Sequence, residues 1–161
     1  MIEPLEPQSF RPATEVIRES FATVAADLGL TEQNCPRYVG FVTTPERLET
    51  QLGWGWELYG LYENGRLVGY VSISLEEGGA YEIHNLAVLP DCRHKGYGGK
   101  LLDFCVKRVG ELGGDKINIS IVEENTTLKN WYLAYGFLHT GTKKYEHLPF
   151  TSGYMEIALV R

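Results

Sequence analysis

The sequence predicts an α/β domain, α+β in detail, with one mixed and mostly antiparallel sheet of about seven strands and helices on both of its faces. Three observations predict it. Helical and strand periodicities alternate along the chain with no linker, repeat or low-complexity tract between them. Asn64-Gly65 joins two runs rich in aromatic and β-branched residues, the strongest short-range hairpin signal. A buried-strand pattern from Tyr81 to Leu89 leads through Pro90 into a basic, glycine-rich loop and then a helix, an order that aims main-chain N–H groups at an anion.

Taken in order, Ile2 to Glu6 predicts a short strand that Pro4 and Pro7 confine to an edge. Ala13 to Leu28 places Val16, Ile17, Phe21, Val24, Ala25 and Leu28 at helical spacing, with Gly29 as the stop. Gly29 to Thr43 reads as an irregular connection. Thr44-Pro45 is a cap followed by proline at the first helical position, so a second helix runs to about Leu52. Strands follow at Trp56 to Glu63, Arg66 to Leu75 and Tyr81 to Leu89. After the glycine loop, Leu101, Leu102, Cys105, Val106 and Val109 form a helical face ended by Gly113-Gly114. Lys116 to Val122 alternates as a strand, Asn125 caps a helix over Thr126 to Tyr135, and Gly136 stops it. Phe137 to Tyr145 and Gly153 to Val160 are the last strands, separated by a loop with His147, Pro149 and Phe150.

At 161 residues the chain fits one domain spanning 1–161, large enough for a core without disulfides or metal. Three widely spaced cysteines with no CxxC suggest neither a disulfide framework nor a zinc site, and no metal is expected. No apolar run approaches the roughly 20 residues that span a bilayer. The start, MIEPLEPQSF, has no basic and apolar leader pattern, so a cytoplasmic protein without membrane contact is expected. A net charge of −6 argues against a nucleic-acid partner. Between Asp91 and Arg108, however, five cations face two acids, and Arg93, Lys95 and Lys100 interleave with glycines. That is the composition of a small anion site.

Counting excludes two common phosphate loops. Gly99-Lys100 is followed by Leu101 rather than Ser or Thr, and His94 stands where a P-loop needs its first glycine. A dinucleotide fingerprint needs a third glycine at Leu101. What remains is Val88-x-Pro90-x-x-Arg93-x-x-Gly96-x-Gly98-x-x-Leu101-Leu102, followed, 27 residues beyond Gly98, by Asn125-x-x-Leu128-x-x-x-Tyr132-x-x-x-Gly136-Phe137. Together these stretches resemble the Gcn5-related N-acetyltransferase (GNAT) superfamily over about Tyr81 to Phe137. The resemblance implies a sheet that splays between its fourth and fifth strands, with acetyl-CoA lying in the gap as a co-substrate. It implies that main-chain groups at Leu86, Ala87 and Val88 bond the pantetheine arm. The loop Arg93, His94, Lys95, Gly96, Tyr97, Gly98, with Gly99 and Lys100 beyond, would hold the pyrophosphate. Elementary geometry agrees, because a pyrophosphate needs several converging N–H donors and glycines let the main chain come close. Asn125 and Lys129 would lie near the pantetheine and adenosine-phosphate parts. Leu128 stands where a small residue is common and would narrow the slot.

Acetyl transfer to an amine needs a proton acceptor, since an alkyl ammonium is almost wholly charged at neutral pH. Glu82 and His84 are two apart on one strand and share a face. By resemblance Glu82 matches the base of the histone-acetyltransferase branch and His84 a histidine of the serotonin-acetyltransferase branch, with Glu82 slightly preferred. Tyr132 lies seven residues, about two turns, after Asn125, where a phenol could protonate the leaving thiolate. The oxyanion would meet an N–H near Leu86 to Val88. Cys92 and Cys105 lack the paired base that a cysteine nucleophile requires.

The acceptor would be a primary amine of a small molecule or peptide. Its pocket would draw on residues 29 to 56 and 143 to 153, with Tyr38, Phe41, Trp54, Trp56, Tyr145 and Phe150 as aromatic walls and Glu32, Glu49, Glu57 and Glu146 as acids for a cationic amine. The same residues could instead serve the core or a homodimer interface. Two functions are therefore expected in order: an N-acetyltransferase, and, as the alternative, a non-catalytic acyl-CoA sensor of the same fold.

Overall fold

Every predicted element forms in the computed structural model, which describes residues 1–160. The strands are β1 (Ile2–Pro4), β2 (Glu57–Glu63), β3 (Arg66–Leu75), β4 (Tyr81–Val88), β5 (Lys116–Val122), β6 (Leu138–Lys144) and β7 (Thr151–Ala158). The helices are α1 (Phe10–Leu28), α2 (Val39–Val42), α3 (Pro45–Gly53), α4 (Tyr97–Glu111) and α5 (Thr126–Tyr135). No helix among the described residues is long and apolar enough to cross a membrane.

The differences from expectation lie at element ends and have local causes. Helix α1 begins at Phe10 rather than Ala13, because Pro12 falls in the first turn, where a missing N–H costs no hydrogen bond. The connection expected to be irregular contains α2, whose end is held by the Thr43 hydroxyl on the Val39 carbonyl at 2.6 Å. Strand β7 starts two residues early because the Glu124 carboxylate accepts from the Thr151 N–H at 2.9 Å. The α3 cap is as read: Thr44 Oγ1 accepts from the Arg47 N–H at 3.2 Å. Thr44→Ala is expected to cost about 1 kcal/mol in urea unfolding, the usual worth of such a cap.

The seven strands form one sheet in the order β1-β2-β3-β4-β5-β7-β6. All neighbours are antiparallel except β4 and β5, which run parallel and pair only at Tyr81↔Ile117 and Glu82↔Asn118. Beyond Glu82 the two strands part, so the sheet is splayed where expected.

Residue parity assigns the faces. A methyl on Gly69 would meet Leu101 of α4, so Gly69, Val71 and Ile73 face α4. Tyr70, Ser72 and Ser74 face the other way and are also buried, on a strand against which α1 packs. In β5 the alternation puts Ile117, Ile119 and Ile121 in the core and leaves Asn118 and Ser120 on the open face. The main core runs through both layers and includes Leu101, Leu102, Phe137 and Met155. A smaller cluster of Ala25, Leu30, Cys35 and Tyr38 packs under the loop residue Leu148.

Candidate active site

The site is the mouth of the splay. Among the described residues, the edge of β4 that faces β5 has no strand partner from Ile83 to Val88, which leaves its main chain open to an extended ligand. A bulge shapes this edge. Tyr70 pairs with Ala87 and Ser72 with His84, so three steps on β4 oppose two on β3, and the extra residue, Asn85, takes φ +54°. The bulge brings Ala87 onto the face of His84 and turns Val88 to the α4 side, opposite Gly69. Asparagine tolerates the left-handed conformation better than most residues, which is the signal the sequence carried for this bulge.

The glycine loop continues from that edge. His94 and Gly96 both adopt positive φ, +64° and +81°, and Gly96 caps α4 with no side-chain partner. The first intrahelical bond is Lys100 N–H to the Gly96 carbonyl, which leaves the N–H groups of Tyr97, Gly98 and Gly99 directed out of the helix start. Lys95 and Lys100 are exposed around them. Arg93 differs from the others: its guanidinium turns back to α1 and donates to the Ser20 carbonyl at 3.0 Å and to Thr23 Oγ1 at 3.0 Å. It anchors the loop and offers a ligand its main chain alone. An ideal Cβ on Gly98 would come within 3.0 Å of the Trp131 indole, so this glycine is needed for α5 to close against the start of α4.

Across the gap, Asn125 caps α5 by accepting from the Leu128 N–H at 3.2 Å. The Lys129 ammonium is engaged by Glu123 at 2.5 Å, and Glu123 also meets His139 at 2.9 Å. The charge of Lys129 is therefore largely neutralised within α5 and its flanks. Tyr132 packs between Trp131 and Phe137, with ring centroids at 5.0 and 5.3 Å, and burial followed by the neighbouring Cys105 holds its phenol protonated well above the usual range.

Glu82 and His84 lie on the opposite face from α4 and α5, as their pairing with Ser74 and Ser72 requires. The Glu82 carboxylate is 3.5 Å from His84 Nε2 and accepts from Ser120 of β5 at 3.4 Å. Burial first, and then the adjacent Glu76, push the Glu82 carboxyl up to about 7. His84 stacks under Trp56 at 4.0 Å and 11°, and burial, only partly offset by Glu76, lowers it to about 4. At neutral pH His84 is thus uncharged and its contact with Glu82 is no salt bridge. Ser74, Glu76, Ser120 and Tyr154 complete this end of the site. None of them was singled out from the sequence, although Ser72 and Ser74 interrupt an otherwise apolar strand and Asn118 and Ser120 alternate with isoleucines.

The expected acceptor walls are only partly gathered here. Trp56 is at the site with Trp54 against it, and Tyr145 hydrogen-bonds Tyr154 at 2.9 Å. Tyr38 belongs to the small core. Glu57 is elsewhere: it is bound in a bidentate pair by Arg108 of α4, at 2.8 and 3.0 Å, because the register of β2 turns it to the α4 face. Cys92 and Cys105 are buried and their thiols are raised, Cys105 to about 12, so neither offers a thiolate.

Comparison with known proteins accords with this geometry. No curated protein sequence matches the chain. Solved structures match closely in shape and weakly in sequence. An N-acetyltransferase, PaiA, from Thermoplasma acidophilum in complex with coenzyme A has a TM-score of 0.82 at 18% identity over 98% of each chain. The ribosomal-protein-S18-alanine N-acetyltransferase of Escherichia coli has a TM-score of 0.78 at 15% identity over 100% of this chain and 94% of its own. YncA from Salmonella typhimurium, with its cofactor acetyl-CoA, has a TM-score of 0.74 at 20% identity over 100% and 94%. A model of the acetyltransferase (GNAT) family matches residues 29–137, more than half of the sequence and including the open edge, the glycine loop and α5, and the chain belongs to that family.

Proposed function

We propose that the protein transfers an acetyl group from acetyl-CoA to a primary amine of a small molecule or peptide by direct attack, with Tyr132 as general acid and Glu82, or His84 beside it, as general base. One observation carries the reading: the sheet opens beyond Glu82, whose carboxyl is pushed up to about 7, while burial keeps the phenol of Tyr132 on α5 neutral.

The residues fit a pantetheine arm and pyrophosphate. The free edge at Leu86, Ala87 and Val88 supplies strand-like donors and acceptors, and the N–H groups of Tyr97, Gly98 and Gly99 converge at the helix start with Lys95 and Lys100 nearby. Acetyl-CoA supplies the thioester carbonyl. A main-chain N–H between Leu86 and Val88 stabilises negative charge developing on that oxygen. Glu82 is the better supported of the two bases, since the imidazole is clamped by Trp56 and its Nε2 is engaged by Ser74 at 2.7 Å. The polar face of Asn118, Ser120 and Tyr154, with the tryptophans beside it, suits an amine that arrives charged and leaves its proton behind.

The test is release of free thiol from acetyl-CoA with a panel of primary amines, polyamines and peptides with free N-termini; no turnover on any of them, together with calorimetric binding of acetyl-CoA, would replace the enzyme by a sensor. Gly98→Ala separately tests the cofactor slot. The new methyl must displace Trp131 or the loop, at the roughly 1–3 kcal/mol of an overpacked contact, and acetyl-CoA affinity is expected to fall about tenfold by calorimetry.

A further inference from the structure

The end of the site beyond Glu82 holds a second carboxylate for which the proposed chemistry has no role. Glu76, in the turn after β3, has a carboxylate oxygen within 4.8 Å of a Glu82 carboxylate oxygen and of a ring nitrogen of His84. It is tied in place. Ser74 Oγ, in a residue 5% exposed, donates to Glu76 Oε1 at 2.7 Å and meets His84 Nε2 at 2.7 Å. A serine hydroxyl carries one proton. With that proton given to Glu76, Oγ can only accept from His84, so the neutral imidazole carries its hydrogen on Nε2 and the chain runs His84 to Ser74 to Glu76. Trp56 stacked on the imidazole fixes the first link.

We propose that Glu76, held by Ser74 and His84, forms with Glu82 a carboxyl pair that takes up one proton as a unit, so that Glu76 positions and tunes the base without touching the acceptor. Two carboxylates this close do not ionise independently, and the second to lose its proton does so at higher pH. The other groups facing Glu82 do not replace Glu76. His84 is uncharged, Ser120 of β5 only donates, Tyr154 of β7 is a neutral phenol held protonated first by its bond to Tyr145, and Lys116 and Glu156 offset each other at 3.4 Å. The proton balance is simple. The pair, ionised twice, removes one proton from the acceptor's ammonium and becomes singly charged. Glu76, whose side chain is 38% exposed, then returns that proton to water.

This inference rests on Glu82 as the proton acceptor, and the experiment separates the two. The pH dependence of kcat/KM for one reactive amine is measured for the parent protein and for Glu76→Gln, Ser74→Ala, Ser74→Thr and Glu82→Gln. Glu76→Gln keeps the side-chain shape and removes the charge. It is expected to move the acidic limb down by about one pH unit and to lower the plateau kcat by about 3- to 10-fold, since a weaker base is a poorer one, with the KM for acetyl-CoA changed less than about twofold. Ser74→Ala, by releasing Glu76, moves the limb in the same direction, and Ser74→Thr, which keeps the hydroxyl, restores it. An unmoved limb in Glu76→Gln overturns the pair, whatever happens to the rate; this variant alters a partly exposed turn and folds even if Ser74→Ala does not. If Glu82→Gln keeps both the limb and the rate, the base itself is misassigned and the pair falls with it.

Discussion

Glu82→Gln is expected to lower kcat by about 100-fold and to abolish the acidic limb of the pH profile, the size of effect that removal of a positioned general base produces. The sign follows from the environment. A base must be unprotonated to act, so the rate rises with pH through the value at which Glu82 loses its proton. Burial and Glu76 place that value at about 7, well above an ordinary glutamate. The same profile discriminates the two candidates. His84 is lowered to about 4, so a histidine base would be unprotonated and equally active from about pH 5 upward, with no limb near neutrality. A flat profile between pH 5.5 and about 8 would therefore move the role to His84.

The Tyr132→Phe variant is the second large effect. Removing one hydroxyl from a ring packed between Trp131 and Phe137 changes the shape of the core very little. The phenol makes no hydrogen bond within the described residues, so its loss strands no partner there. Stability is thus expected to change by less than about 1 kcal/mol, and acetyl-CoA binding to hold. By contrast, kcat is expected to fall about 100-fold, because the thiolate must then leave without a proton. Thiol release under saturating amine, compared with calorimetric acetyl-CoA binding, separates these outcomes. Unchanged kcat would leave Tyr132 as a core aromatic only.

The elements of this protein were legible in its residues because each is specified by short-range chemistry. Asn64-Gly65 turns the β2-β3 hairpin, Thr44 and Asn125 cap their helices, and Gly29 and Gly136 end theirs, all within a few residues of the signal. The misplaced ends differ in scale: Pro12 acts locally inside the first turn of α1, whereas the start of β7 depends on Glu124, distant by 27 positions. The glycine loop at the start of α4 was legible for a related reason. An anion cradle made of successive main-chain N–H groups is a local object, and glycine spacing with the flanking strand and helix describes it.

Other parts of the candidate site are assembled from residues far apart in the chain. Trp56 meets His84 across the sheet, Ser120 reaches Glu82 from β5, and Arg93 looks back 73 positions to Ser20. The one-residue bulge at Asn85 changes which side chains share a face, and strand alternation alone does not foretell it. Charges behave likewise. Lys129 and Glu57 look like free ions in the sequence, and each is neutralised by a partner, Glu123 or Arg108, that the folded register brings within hydrogen-bond reach. By themselves the residues specified a mixed sheet with helices on both faces and an anion-binding glycine loop, because both are written in neighbours along the chain, while the splay between β4 and β5 was implied by the family resemblance. The raised carboxyl of Glu82 was decided by the tertiary structure, which buries it beside Glu76, since a titration is set by everything within a few ångströms in space.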